Sequence, residues 1–335
     1  MATKDILLTG DRPTGPLHIG HYAGSLAKRV ALQGTYDPSY IMIADTQALT
    51  DHAQESALLK ERIMMVMKDY LSVGLDPNQY TIFLQSLVPE LHEFTSIYMN
   101  FVTFARLRRN PTVKTEMQSK NYGDQVPVGF LVYPISQCSD ITAFSATVVP
   151  TGDDQQPMIE QSNEIVRAVN NYCQKDVLVE SKVLLSEVTR LPGTDGGQKM
   201  GKSLGNCIYL TDSKEDVDAK VMSMFTDPNH LKVSDPGKVE GNAVFAYLNA
   251  FDPDREGLAE MEDHYRRGGL GDVTCKRRLQ KVLQDVLGPI RDRHAQYADK
   301  DEELWEILFE SSKRARRVAQ AKLLELKEAM GLSYE

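Results

Sequence analysis

The sequence predicts an α/β fold: a doubly wound parallel sheet that carries a helical insertion, with a helical domain behind it. Three observations lead there. In the first half, short apolar runs alternate with stretches of helical periodicity, the pattern of βαβ units. Between residues 90 and 144 that strand rhythm stops and mostly helical sequence replaces it. Beyond about residue 210 the chain reads as helix almost throughout. We therefore expect a Rossmann-like domain over 1–210, with its insertion at about 90–144, and a helical domain over 211–335.

The elements follow in order. Ile6–Leu8 is a compact apolar run, and the turn-forming residues 9–16 (TGDRPTGP) follow it at once. Helical periodicity starts at His18. Tyr40–Ala44 is a second buried strand. Leu59, Ile63, Val66, Met67, Tyr70 and Leu71 recur at helical spacing, leaving Lys60, Glu61 and Lys68 for solvent. Gly74 suits the end of that helix, with Pro77 beyond it. Tyr80–Leu84 is a third strand. Inside the insertion a polar loop is expected near 119–127. Thr147–Val149 is a fourth strand, leading into residues 150–155 (PTGDDQ) and a helix through Ile165, Val166 and Val169. Val177–Val179 reads as a last short strand. A loop rich in glycine and lysine spans 191–206. Asp212, with Glu215 three residues on, has capping-box spacing and opens the helical domain.

Composition narrows the function classes. At 41% hydrophobic and 25% charged residues, a packed core is available and disorder is not the default expectation. No apolar run approaches the roughly 18 residues of a membrane span. The opening MATKDILLTG lacks the order of basic region, apolar segment and cleavage site, so a mature, cytoplasmic start is expected. A net charge of −9 excludes nucleic-acid binding over the whole surface and confines any such contact to a patch. Cys138, Cys173, Cys207 and Cys275 form no CxxC pair, which argues against a zinc ribbon, an iron–sulfur set or a disulfide framework. No dedicated metal site is read from the sequence.

Two segments carry the chemistry. His18-Ile19-Gly20-His21 opens a helix after the first strand and its turn, where backbone N–H groups face an incoming anion. His18 and His21 lie three apart and so share one helical face. Gly20 lets a flat ring or a sugar lie against the backbone. An imidazole titrating near pH ~6.5 donates hydrogen bonds to phosphate oxygens around neutrality. The bland alternatives are a satisfied core pair or half of a metal site. Lys199-Met200-Gly201-Lys202-Ser203, flanked by Gly196, Gly197 and Gly205, forms a flexible cationic loop able to close on a triphosphate. The bland alternative there is an exposed lysine loop. No GxxxxGK[ST] motif occurs, so a nucleotide would be held without a P-loop.

The two segments together resemble the HIGH and KMSKS signatures of class I aminoacyl-tRNA synthetases, and in detail the bacterial tryptophanyl-tRNA synthetases. The matching stretches are LTGDRPTGPLHIGHYAGSL (8–26), IADTQALT (43–50), LVYPISQCSDITAF (131–144), VPTGDDQQPMIEQ (149–161) and the KMGKS loop. RRGGLGDVTCKRRL (266–279) and the closing AMGLSYE extend the likeness over nearly the whole length. The resemblance implies a fold of the HIGH/KMSKS Rossmann type. It implies an ATP pocket lined by Arg12, Pro13, Thr14, Gly20 and His21. Gly152, Asp153 and Asp154 would hold the ribose side. Leu191 and the loop from Lys199 to Ser203 would close over the phosphates, and Lys114 in RNPTVKTE would add a phosphate contact. His18, His21, Lys114, Lys199 and Lys202 would serve the chemistry. Tyr133 and Gln155 would hold the substrate α-ammonium, and Asp140 would accept the indole N–H. Asp140 lies seven residues after Tyr133, about two helical turns, so both can face one pocket.

The chain departs from the family pattern twice. KMGKS replaces the usual KMSKS, losing a hydroxyl and gaining backbone freedom. Gln137, with Tyr133 and Asp140, matches the spacing of tyrosyl enzymes, where the tryptophanyl ones often carry an apolar residue. Tyrosine therefore stands as the alternative amino acid. A small-molecule nucleotidyltransferase and a non-catalytic tRNA-binding paralogue are the remoter alternatives. Basic clusters at 266–281 and 313–317 supply the patch that the acidic total requires elsewhere. Arg277, Arg278, Arg314 and Arg317 are the expected tRNA contacts. The implied partners are L-tryptophan, ATP accompanied by Mg²⁺, tRNA(Trp) and a second copy of the chain.

Overall fold

A computed structural model describes residues 5–120, 122, 125–152, 155–185, 191–197 and 200–334, with the side chains of Asp51 and Ser203 excepted. In chain order the strands are β1 (Leu7–Asp11), β2 (Ser39–Ile43), β3 (Thr81–Leu84), β4 (Val148–Thr151) and β5 (Lys182–Leu185). Helix α1 (Ile19–His21) runs through a π-helical stretch, Tyr22–Leu26, into α2 (Ala27–Ala31); α3 (Asp45–His52) and α4 (Leu59–Val73) separate β2 from β3. The insertion is α5 (Glu90–Tyr98), α6 (Phe104–Arg109), α7 (Pro111–Ser119) and α8 (Val128–Thr142), and α9 (Gln156–Cys173) connects β4 to β5. The remainder holds α10 (Lys214–Met222), α11 (Ala243–Phe251), α12 (Arg255–Arg267), α13 (Asp272–Ala295) and α14 (Asp301–Ala329).

Among the described residues the sheet has five strands in the order β3-β2-β1-β4-β5, with every neighbouring pair parallel. Strand alternation sends successive residues to opposite faces, so a parallel sheet with both faces covered needs two cores. Both are present. Leu7, Ile41, Ile43 and Ile82 join α4 and, without a break, Phe245 of α11 and Leu279, Leu283 and Leu287 of α13. Leu8, Tyr40, Met42 and Phe83 point the other way, onto α5, α8 and α9. Helix α4 ends as its sequence suggests: Gly74 adopts φ +104° and closes the last turn.

Three elements differ from expectation. Val177 and Leu178 form no strand; their N–H groups are accepted by Asn170 Oδ1 at 3.1 and 2.9 Å, and pairing with β4 begins only at Lys182. The cap of α10 is Ser213, whose hydroxyl accepts the Asp216 N–H, because Asp212 is turned back to accept the Tyr209 N–H and to pair with Lys220. The last helix leaves its sequence neighbours: α14 lies on β3 and α5, with Ala315, Ala319, Leu323 and Leu326 in the second core. Ser312 Oγ accepts the Leu84 N–H at 3.0 Å, so α14 covers the exposed edge of the sheet.

Candidate active site

In an open α/β sheet, ligands bind beyond the strand C-termini where the strand order reverses. Here that point lies between β1 and β4. β1 delivers residues 12–21 and β4 delivers Gly152 and Gln155 to one crevice. Gly15 takes φ +115° in the turn after β1, a backbone conformation open to glycine.

The two histidines cap the helix reciprocally. His18 Nδ1 accepts the Gly20 N–H at 3.2 Å, and His21 Nδ1 accepts the His18 N–H at 3.1 Å. Each neutral ring therefore carries its proton on Nε2, which remains the donor for a phosphate oxygen. The ring centroids are 3.8 Å apart. Burial, reinforced by each other and by Lys202, brings His18 down to about 3; burial brings His21 to about 4 against the pull of Asp11. Near-neutral titration, the sequence expectation, is thus corrected: both rings are uncharged donors at pH 7. A Cβ on Gly20 would lie 2.9 Å from His18 Nδ1 and 3.3 Å from Met200 Sδ, so glycine is required there.

The lysine loop meets this segment directly. Lys202 Nζ donates to the Gly15 carbonyl at 2.9 Å and to Thr14 Oγ1 at 3.2 Å. Residues 208–210 bind the histidine segment through Ile19 N–H to the Ile208 carbonyl, 2.9 Å, and Leu210 N–H to the Leu17 carbonyl, 3.1 Å. Burial depresses Lys202 to about 8 even though Asp11 and Asp69 favour its charge. Leu191 and Met200 are buried. Lys199, Asp153 and Asp154 lie outside the described residues, as does the side chain of Ser203.

Several contributors escaped the sequence reading. Asp11, at the end of β1, accepts from Arg29 Nη1 and from the Tyr70 hydroxyl, each at 2.7 Å. Burial alone would raise its pKa, but the Arg29 guanidinium overrides it and holds the carboxyl at about 2. Asp69 accepts the Leu17 N–H at 2.7 Å, one residue before His18, and burial lifts it to about 7. Asn206 ties the loop together: its carbonyl oxygen accepts the Gly201 N–H at 2.8 Å and its amide donates to Asp195 at 3.0 Å. No local periodicity marks these residues; an acidic or basic residue inside an otherwise apolar stretch is the signal available.

Tyr133, Gln137 and Asp140 occupy one face of α8 at i, i+4 and i+7. Tyr133 donates its hydroxyl to Glu116 of α7 at 3.0 Å. Gln137 is half-buried in the middle of α8. Asp140 is 1% exposed. Both of its oxygens accept from Gln85 Nε2, at 2.9 and 3.0 Å, and burial lifts the carboxyl to about 7. Lys114 and Arg12 are exposed, and Pro13 is buried in the turn.

The basic residues separate. Arg277 is exposed on α13. Its neighbour Arg278 is held inside the fold, by Asp252 at 2.6 Å and Asp254 at 3.1 Å. Its side chain is 22% exposed, so its charge is shared with two carboxylates of the fold. Arg314 and Arg317 are exposed on α14, the helix that abuts the catalytic sheet. Among the described residues no helix is long and apolar enough to cross a membrane, and no cluster of three acidic, histidine or cysteine side chains could hold a metal ion.

The family described as tRNA synthetases class I (W and Y) matches residues 2–288. The tryptophan–tRNA ligase of Clostridium longisporum is 55% identical over 334 residues, covering 99% of this chain and 98% of that protein. The corresponding ligase of Streptococcus pyogenes serotype M3 is 55% identical over 338 residues, covering 99% of each. The crystal structure of Campylobacter jejuni tryptophanyl-tRNA synthetase, complexed with ADP and tryptophan, superposes with a TM-score of 0.82 at 29% identity, over 98% of this chain and 100% of that one. With both signature segments meeting at the switch point and the match running over most of its length, the chain belongs to the class I tRNA synthetases of the tryptophan and tyrosine group.

Proposed function

We propose that the chain is a tryptophan–tRNA ligase, activating L-tryptophan with ATP and passing it to tRNA(Trp). Its full-length relatives at 55% identity bear that name, and the class uses ATP. The observation that carries the mechanism is the docking of Lys202 on the Thr14–Gly15 turn, which puts a cation at the entrance to the histidine segment.

In the first step a tryptophan carboxylate oxygen attacks the α-phosphorus of ATP, forming the adenylate and releasing pyrophosphate. In the second, a ribose hydroxyl at the tRNA terminus attacks the acyl carbon, and AMP leaves. Neither step needs a protein nucleophile, so positioning and charge stabilisation carry the catalysis. The Nε2–H groups of His18 and His21 donate to phosphate oxygens. Lys202, with Lys199, neutralises charge developing on the departing pyrophosphate. Gly152, Asp153 and Asp154 take the ribose side, and Lys114 reaches a phosphate from α7. Mg²⁺ arrives with ATP as part of that substrate. Tyr133 and Gln155 take the α-ammonium, and Asp140 accepts the indole N–H.

The helices after residue 211 read the anticodon end of the tRNA. Exposed Met99, Phe104 and Val128 on the insertion form the contact of a homodimer, which sedimentation equilibrium tests as twice the chain mass. The site of action is the cytoplasm, where translation runs. Tyrosine is the second reading, favoured by Gln137 on the same helix face as Tyr133 and Asp140. Pyrophosphate exchange into ATP with each of the twenty amino acids tests the proposal. Rapid exchange with tryptophan alone supports it, faster exchange with tyrosine replaces it, and no exchange turns the chain into a tRNA-binding paralogue.

A further inference from the structure

We propose that Gln85 is a specificity-positioning residue, whose carboxamide holds the Asp140 carboxylate as the acceptor for the indole N–H. The inference rests on the reading of Asp140 as the indole acceptor.

The orientation of the Gln85 amide is decided by a donor that cannot turn. The backbone N–H of Gln47 points at Gln85 Oε1 at 3.1 Å, and the Thr46 hydroxyl donates to the same oxygen at 2.6 Å. Oε1 is therefore the carbonyl oxygen, and Nε2 faces Asp140. The backbone around Gln85 is clamped on both sides: Leu84 N–H donates to Ser312 Oγ of α14 at 3.0 Å, and Ser86 N–H donates to Asp45 of α3 at 2.9 Å. Three elements thus converge to place one carboxamide, itself 1% exposed.

A structural explanation accounts for half of this arrangement. Gln47 lies in the first turn of α3, where an N–H lacks an intrahelical partner, and Oε1 supplies one. A glutamate would cap that turn equally well. What its ionised form could not do is donate to Asp140. Among the described residues Asp140 has no cation beside it and no hydrogen-bond donor other than Gln85 Nε2. That amide engages both carboxylate oxygens from one side, which leaves remaining lone pairs to accept the indole N–H.

The test separates the two halves of the amide. Gln85→Glu keeps the acceptor for Gln47 and Thr46 and, when ionised, replaces the donor toward Asp140 with a like charge, so it is assayed on the alkaline side of neutrality; Gln85→Met removes both donor and acceptor at similar length. Each is compared with the parent and with Asp140→Ala, using tryptophan and its benzothienyl analogue, in which sulfur replaces the indole N–H. The readout is the ratio of the two kcat/KM values in pyrophosphate exchange. We expect the preference for tryptophan to fall about tenfold or more in both Gln85 variants, the scale of one hydrogen bond to a charged group. KM for ATP and kcat at saturating tryptophan should stay within about threefold of the parent, as for a residue that acts through substrate binding. A folded Gln85 variant that keeps the parental preference, while Asp140→Ala loses it, overturns the role of Gln85 alone. A parental preference in Asp140→Ala overturns the reading of Asp140 and this proposal with it. Thermal unfolding establishes which variants are folded, and a folded Gln85→Met decides the matter without Gln85→Glu.

Discussion

Lys202 and Gly15 meet across 187 residues of sequence, the lysine Nζ donating to the glycine carbonyl at 2.9 Å. The contact holds a cation beside the histidine segment, where the phosphates are proposed to bind. Lys202→Ala should lower kcat for adenylate formation by about 10²-fold or more, the scale of a lost electrostatic donor. KM for tryptophan should change little, and steady-state exchange kinetics check both.

The same lysine sets an alkaline limit. Its pKa is lowered to about 8, so the ammonium persists below that pH and is lost as pH rises through it. The kcat/KM for ATP should fall accordingly, since that parameter reports ionisations of the free enzyme. Lys202→Arg should abolish the fall. A fall that survives in the arginine variant assigns it to another group.

On the proposed role of Asp140 as the indole acceptor, it should set the acid side and the choice of ring. With its pKa raised to about 7, it becomes a carboxylate only as pH rises through that value. The kcat/KM for tryptophan should climb over the same window, and Asp140→Asn should flatten the climb while keeping more activity than Asp140→Ala. Persistence of the climb in Asp140→Asn would point to Asp69, raised to the same region. Asp140→Ala should also lose much of its preference for tryptophan over phenylalanine, a mismatch that reaches roughly 10⁴-fold where a buried polar partner is left unpaired.

Asp11 and Arg29 form a buried pair with Tyr70. Asp11→Ala leaves the guanidinium buried and uncompensated, which costs about 3–5 kcal/mol in urea unfolding. Because the Asp11 pKa is lowered from 3.8 to about 2, its stabilisation is complete above pH 3.8 and disappears as pH falls toward 2. Asp11→Asn should therefore lose less stability on acidification over that window than the parent does.

Arg277 and Arg278 are adjacent but answer to different partners. Arg278→Ala should lower the melting temperature, since it strands Asp252, which is 2% exposed. Arg277→Ala should leave both stability and pyrophosphate exchange intact while weakening tRNA charging. Its tRNA affinity should also depend less steeply on salt than the parent's, because one phosphate contact is gone. Equal salt slopes would make Arg277 a solvated surface residue.

Much of this molecule was legible in its sequence because the relevant physics is local. Apolar runs located β2, β3 and β4 to within two residues and missed β5, Gly74 marked a helix end through its left-handed backbone, and the HIGH and KMGKS segments pointed to a nucleotide site through their joint resemblance to class I synthetases. Tyr133, Gln137 and Asp140 could be placed on one helix face for the same reason. Contacts between distant segments could not be read this way. The partners of Asp11, Asp69 and Asp140 come from other helices and strands. The return of α14 to β3 depends on which sheet edge lacks cover. Arg278 is indistinguishable from Arg277 until Asp252 and Asp254 are brought beside it. The charge states of His18, His21 and Lys202 were the least legible. A side chain's type sets its ordinary pKa, but the shift comes from burial and neighbouring charge, and only the tertiary structure supplies those.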